Sequence, residues 1–148
     1  MGAKVLCGLL LCSLPLRNLR LTSPFGYRLH PIYHVVRLHE GIDLAAHHDT
    51  VFSILDGVVT ACRYDAGLGL YLRIGHENGL QSTYGHLSQW LVLPGDTVCA
   101  GDAIAVTGAT GAVTGEHLHF AVQLKHHYID PLKFLTRMVI TDTTKINH

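Results

Sequence analysis

Charged residues of either sign are scarce in this sequence, and neither sign is in excess. Lys and Arg together number 11, and so do Asp and Glu, which makes the formal net charge zero at pH 7. A chain with no net positive charge has no long-range field that draws it to nucleic acid or to an anionic membrane surface. Binding to polyanions is therefore not the expected function, and we expect no nucleic-acid partner.

Apolar runs long enough to cross a bilayer are also absent. An apolar run at residues 5–14 follows Lys4, but it is far shorter than the ~20 residues of a membrane-spanning helix and resembles the h-region of a secretory signal. No small-residue cleavage site follows it. We expect residues 1–18 to be a short apolar leader or N-terminal extension, with no stable membrane insertion. If the leader is a true signal, the protein is periplasmic or secreted and acts in the cell envelope.

Paired cysteines of the kind that hold structural zinc are missing. The four cysteines, Cys7, Cys12, Cys62 and Cys99, include no C-x-x-C pair, so we expect no structural zinc site of that type. Cys62 and Cys99 fall in apolar segments. They either form a disulfide in an oxidising compartment or remain buried thiols, and the sequence leaves both alternatives open.

The spacing of turn residues predicts an all-β fold. Gly, Pro, Asn and Asp interrupt the apolar sequence roughly every 8 to 12 residues, the rhythm of a compact antiparallel β-sandwich or barrel-like fold with little helix. Strands are predicted at 54–63, 70–74, 80–86, 103–106 and 117–124, and a hairpin turn at 77–79. We expect one domain over residues 19–136, with a single helical turn at 131–135, and a tail over 137–148 that frays from Thr141 onward.

Histidine is the residue that stands out, with 12 copies. Imidazole is the commonest metal ligand in proteins and the usual proton carrier near pH 7. His39 and Asp43 lie four residues apart around a glycine, so both side chains can reach one ion. Such a pair occurs by chance in many chains and indicates a metal site only if another segment supplies a further ligand.

Two other segments supply candidate partners. His117 and His119 lie two apart in a predicted strand, so both imidazoles project from one face of the sheet, while Leu118 and Phe120 point into the core. His86 follows Tyr84 near the end of another predicted strand, where alternation places Ser82, Tyr84 and His86 on one face. Three protein ligands leave a fourth position on zinc open for water, whose pKa falls from 15.7 toward ~7.

These segments resemble the lysostaphin-type, LytM-like zinc metallopeptidases, which are peptidoglycan endopeptidases. The resemblance runs from residue 21 to residue 135, and several motifs occur in the family's order. They are SPFGYRLHP at 23–31, HEGIDLAA at 39–46, YGHL at 84–87, PGDTV at 94–98 and TGEHLHF at 114–120.

The resemblance implies a fold, a cofactor, a substrate and roles for five residues. It implies the antiparallel β fold of that peptidase domain, one Zn²⁺ ion held by His39, Asp43 and His119, and peptidoglycan peptides as the partner. His86 and His117 are the implied catalytic residues, and we favour His117 as the general base. No masking or targeting segment is recognisable, so we expect a bare catalytic domain. Oligomeric state and the bond cleaved, a D,D-cross-link or a glycine bridge, remain open.

Two other functions fit part of the pattern. Two histidines and one carboxylate also form the facial triad of non-haem iron(II) oxygenases, although the HxxxD spacing and the extra imidazoles do not match it. A family member without activity that binds peptidoglycan or activates an amidase is the non-enzyme alternative. Such members usually lack metal ligands, whereas all five expected residues are present here.

Overall fold

The structure, a computed structural model, describes residues 7–8 and 11–146, the last three by backbone alone. This described part forms twelve β-strands and one α-helix, and all strand pairings are antiparallel. The first six strands are β1 (Leu21–Ser23), β2 (Gly26–Leu29), β3 (Val36–His39), β4 (Ile42–Ala45), β5 (Thr50–Phe52) and β6 (Gly57–Asp65). The others are β7 (Gly69–Gly75), β8 (Leu80–Trp90), β9 (Thr97–Val98), β10 (Ala103–Thr107), β11 (His117–Leu124) and β12 (His127–Ile129), and the helix is α1 (Pro131–Ile146).

Ten of these strands form one sheet, and the other two form a separate hairpin. The order along the main sheet is β1-β4-β11-β8-β7-β6-β9, with β12 beside β11, β10 beside β8, and β5 beside β10. Strands β2 and β3 pair only with each other. The all-β prediction with little helix is therefore confirmed, and the β2–β3 hairpin, which ends at His39, belongs to neither edge strand pairing of the main sheet.

Alternation along β11 separates the core from the candidate site. Leu118 and Phe120 are fully buried, and the Phe120 ring packs 5.4 Å from that of Tyr84 on the neighbouring strand. Their neighbours His117 and His119 lie on the other face of the strand, as the two-residue period of a β-strand requires. The predicted inward direction of Leu118 and Phe120 is confirmed.

The predicted strands and turn are found close to their predicted positions. Strands β6, β7, β8, β10 and β11 contain or overlap the five predicted segments. The turn at Glu77–Gly79 joins β7 to β8, with Asn78 at φ 60° and Gly79 at φ 75°. Asn and Gly tolerate this left-handed conformation better than other residues, which is why the turn could be predicted.

The prediction for the C-terminal segment is wrong in extent. Instead of one turn followed by a frayed tail, α1 continues to Ile146, so the proposed tail is helical in its described part. Leu135 is buried, and Phe134 and Met138 also pack against the core. The hydroxyl of Thr136 donates to the carbonyl of Leu132, and Thr141 and Thr143 likewise donate to the carbonyl four residues earlier. Helical threonines can satisfy their hydroxyls in this way.

Part of the predicted leader packs on the domain, and the rest lies outside the described residues. Leu16 is 2% exposed, and the backbone N–H of Ser13 donates to the carbonyl of Ile54. The boundary proposed after residue 18 stays a prediction. No helix in the described part is long and apolar enough to cross a membrane.

Cys99 forms a disulfide with Cys7, at a Cα–Cα distance of 5.3 Å. Cys62 is a free, half-buried thiol. The bridge between Cys62 and Cys99, one of the two alternatives that the sequence left open, does not form. A partner 92 residues away cannot be recognised from spacing alone.

Candidate metal centre

Three strand segments bring His39, Asp43 and His119 together. His39 ends β3, Asp43 lies in β4, and the register of β4 and β11 sets His119 directly opposite Asp43. Asp43 Oδ1 is 3.2 Å from His39 Nε2 and 3.1 Å from His119 Nδ1. The three candidate ligand atoms all lie within 4.8 Å of one another. The predicted ligand set therefore forms one cluster, in which His119 of β11 lies 76 positions after Asp43 of β4 in the sequence.

Contacts around this cluster orient its members. His39 Nδ1 donates to the carbonyl of Pro24 at 2.8 Å, which turns the other ring nitrogen, Nε2, toward Asp43. Burial alone would raise the pKa of Asp43, but hydrogen bonds with His119 and His39 outweigh burial and hold that pKa well below its ordinary range. Arg28 Nη2 lies 3.7 Å from the other carboxylate oxygen, Oδ2. Asp43 is therefore an ionised carboxylate near pH 7, as a metal ligand must be.

The donor set fits zinc. Two imidazole nitrogens and one carboxylate oxygen are ligands that catalytic zinc sites use, and three protein ligands leave one position open. His39 and Asp43 are 8% and 7% exposed, and His39 donates its other ring N–H to a backbone carbonyl. Such an outer hydrogen bond is the usual support of a metal-ligating histidine.

His86 reaches the cluster through a bulge in β8. Opposite β8, Leu70 pairs with Leu87 and Leu72 with Tyr84, so β8 carries one extra residue here, and His86 has a φ of 59°. Tyr84 faces the core, whereas the His86 ring lies 4.7 Å from the ring of His117. The prediction that Ser82, Tyr84 and His86 share one face is thus wrong, because the bulge reverses the alternation.

The two remaining imidazoles have matching supports. His86 Nδ1 donates to the carbonyl of Thr110 at 2.8 Å, and His117 Nδ1 donates to that of Gly115 at 3.0 Å. In the neutral rings both Nε2 atoms therefore carry a lone pair, and His117 Nε2 lies 3.5 Å from Asp43 Oδ1. Burial lowers the pKa of His86 to about 4, so this ring is neutral near pH 7.

A groove of about 690 Å³ runs over these residues. Its lining includes Arg28 and Arg37 of the β2–β3 hairpin, residues 112–114, and Gly67 and Leu68. All five predicted site residues line it. The ligand cluster therefore lies in an open groove and not in a closed cavity.

Sequence reasoning missed the groups that support the imidazoles. Pro24 and Thr110 act through their backbone carbonyls, and a backbone group leaves no mark in residue type. Arg28 lies within the SPFGYRLHP motif at 23–31, but nothing in the spacing of that motif indicated a contact with Asp43. The contact depends on how the hairpin folds over the sheet.

Comparison with known proteins identifies the family. Residues 37–131, which include all five predicted site residues, match the model of Peptidase family M23. The chain belongs to Peptidase family M23. The resemblance to lysostaphin-type zinc peptidases is thereby confirmed.

Several proteins similar in sequence to this chain are named as peptidases. This M23 chain is 42% identical over 119 residues to the DD-carboxypeptidase/endopeptidase Mpg of Neisseria meningitidis, covering 80% of this chain and 27% of the relative. It is 39% identical over 116 residues to the peptidoglycan DD-endopeptidase ShyB of Vibrio cholerae, covering 77% and 27%. The chain thus spans about a quarter of the length of these curated relatives.

Solved structures share the fold of this M23 chain. A zinc-containing peptidase of Vibrio cholerae aligns with a TM-score of 0.71 and 39% identity, covering 75% of this chain and 35% of that one. The catalytic domain of the antimicrobial peptidase lysostaphin from Staphylococcus simulans aligns with a TM-score of 0.72 and 27% identity, covering 80% and 92%. The lysostaphin-type domain predicted for this chain is therefore its observed fold.

Proposed function

We propose that this M23 domain hydrolyses amide bonds in the peptides of bacterial peptidoglycan, with one zinc ion held by His39, Asp43 and His119. The observation that carries the proposal is the convergence of these three donors, with two further imidazoles, in an open groove. Relatives with peptidoglycan endopeptidase names support the choice of substrate. Action on peptidoglycan implies a location in the cell envelope, periplasmic or secreted.

The three ligands and the groove define where the reaction would take place. A zinc ion in a site of this kind supplies an acidified water and polarises the scissile carbonyl. Asp43 contributes a carboxylate that stays ionised because of its two histidine neighbours. Pro24 holds the His39 ring so that Nε2 is available as a ligand atom.

His117 and His86 are suited to move the proton that peptide hydrolysis requires. We assign the general base to His117, because its Nε2 carries a lone pair beside the ligand cluster, 3.5 Å from Asp43 Oδ1. Burial lowers the pKa of His86 to about 4, so this ring is a poor proton acceptor near pH 7. Once protonated it is therefore a good donor to the developing oxyanion and to the leaving amine.

Digestion of purified peptidoglycan sacculi tests this function. The zinc-loaded protein should release soluble glycan-peptide fragments with newly exposed amino groups. A chelator should abolish release, and one equivalent of zinc should restore it. Release that continues at the same rate after complete metal removal, or no release by the zinc-loaded protein, would refute the proposal.

A further inference from the structure

Two arginines face each other across the β2–β3 hairpin at the edge of the metal centre. The register pairs Arg28 directly with Arg37, and both side chains line the groove. Tyr27 and Leu29, which flank Arg28 along β2, are 81% and 61% exposed and do not line the groove. Alternation along β2 therefore turns Arg28 toward the site and its apolar neighbours Tyr27 and Leu29 away from it, while on β3 both Arg37 and Leu38 line the groove.

This arrangement is unfavourable for the hairpin itself. Like charges directly opposite one another in an antiparallel pair are destabilising. The positive charges of Arg28 and Arg37 also affect His30. The pKa of His30 is lowered first by burial and then by these two charges. A two-stranded hairpin has little other stabilisation, so the pairing of two arginines calls for a counter-charge that balances them.

The described residues balance this charge only in part. Arg28 Nη2 is 3.7 Å from Asp43 Oδ2, a distance beyond hydrogen bonding, and Arg28 Nε is buried without a hydrogen-bond partner. The Arg37 guanidinium lies over the ring of Tyr33, 4.8 Å from its centroid. A ring face carries no charge that could balance the guanidinium. The carboxylate of Asp43 is also a proposed metal ligand, so its charge is shared.

We propose that Arg28 and Arg37 together bind a carboxylate of the substrate peptide, next to the amide that is cleaved. The planar guanidinium carries N–H donors in a fork that matches a carboxylate. Stem peptides with free carboxylates offer such a group, whereas an uncharged glycine bridge does not. The inference rests on the proposed function and narrows its substrate class to acidic stem peptides and their direct cross-links.

Replacement of Arg37 distinguishes substrate binding from structural support of the metal centre. Arg28 contacts Asp43, so its replacement can disturb the ligand cluster as well as the substrate. Arg37 lies opposite Arg28 and contacts the ring of Tyr33. An Arg37→Gln variant should therefore keep its zinc and its unfolding temperature close to those of the wild type.

The test compares substrates as well as variants. Zinc-loaded wild type, Arg37→Gln and Arg37→Lys are assayed on one cross-linked muropeptide with free carboxylates and on the same muropeptide after amidation. Arg63→Gln is the control, since Arg63 is exposed on β6 and does not line the groove. Forms amidated only at the chain terminus or only within the stem identify which carboxylate is bound.

The wild type should prefer the free acid. Arg37→Gln should lower kcat/KM for the free acid about 10- to 100-fold, the loss of one charge-assisted contact, mainly by raising KM. Its rate on the amidated form should be nearly unchanged, Arg37→Lys should recover part of the preference, and Arg63→Gln should match the wild type. High salt should reduce the preference, because it screens exposed charges.

Two results would overturn the inference while leaving the proposed function intact. One is a wild type that cleaves the free and amidated forms equally well. The other is an Arg37→Gln variant that loses the same factor on both forms, which would indicate a structural role. If the wild type cleaves neither form, the proposed function fails, and the inference fails with it.

Discussion

Gly41 lies between two proposed ligands, and adding a single methyl group there should weaken zinc binding. A Cβ built on Gly41 would lie 2.4 Å from the carbonyl oxygen of Phe120 and 3.0 Å from His119 Cε1 and Nε2. Real Cβ atoms essentially never come within 3.0 Å of another heavy atom. The backbone beside His119 must therefore shift in a Gly41→Ala variant.

The expected magnitude follows from this overlap. Forcing an extra carbon into a packed site costs about 1–3 kcal/mol of stability when neighbours must move. Because the displaced backbone carries a proposed ligand, zinc affinity should fall by a factor of about 10 to 100, as for other changes that disturb the support of a ligand.

Competition with a chromogenic chelator measures the zinc affinity, and urea unfolding of the metal-free protein measures stability. Gly115→Ala is the matched control, because a Cβ at Gly115 would meet nothing within 4 Å. It should bind zinc and unfold as the wild type does. A Gly41→Ala variant that binds zinc with unchanged affinity would refute this geometry of the cluster.

Three further predictions concern the rest of the molecule. The metal-free wild type should lose about 3 kcal/mol of stability between pH 6.5 and pH 4 through His86. The reason is that the unfolded chain takes up a proton over this range, whereas folded His86, with its pKa lowered to about 4, does not. Urea unfolding at several pH values should show that His86→Gln lacks this part of the loss. Replacing Cys99 by serine should remove the disulfide to Cys7 and lower the unfolding temperature under oxidising conditions but not under reducing ones, as scanning calorimetry can show. Leu135→Ala should cost about 2–5 kcal/mol because this helical residue is 2% exposed, and Leu132→Ala, at 41% exposure, should cost much less; equal losses in urea unfolding would contradict the packing of α1.

The sequence predicted best where local rules and tertiary packing agree. Alternation in β11 placed His117 and His119 on one face and Leu118 in the core. The Glu77–Gly79 turn followed from the tolerance of Asn and Gly for positive φ. The proposed ligand set needed the family resemblance as well, since spacing alone does not bring His39 and His119 together.

The failures arose where one residue or one distant contact overrode a local rule. A single extra residue in β8, with His86 at a φ of 59°, reversed the alternation that had grouped His86 with Tyr84. The Thr-rich end of α1 has weak helix propensity, but burial of Leu135 anchors the first turns and the threonine hydroxyls bond within the helix. The partner of Cys99 depends on where the N-terminal segment lies.

The family assignment excludes one of the two alternative functions and leaves the other to be tested. Membership in Peptidase family M23 excludes the iron(II) oxygenase interpretation. That interpretation was supported only by the combination of two histidines and a carboxylate. The non-enzyme interpretation, a protein that binds peptidoglycan without cleaving it, makes the opposite prediction about turnover. It is therefore decided by activity and metal content measured together.

Zinc content and turnover, determined on the same preparations of wild type, His39→Ala and His86→Ala, test the proposed division of roles most directly. The wild type should hold one zinc per chain and cleave peptidoglycan. His39→Ala should lose both metal and activity, because it removes one of three ligand atoms. His86→Ala should keep its zinc and lose turnover, because His86 contacts the carbonyl of Thr110 and not the ligand carboxylate. Equal loss of zinc in both variants, or full activity in His86→Ala, would contradict the account.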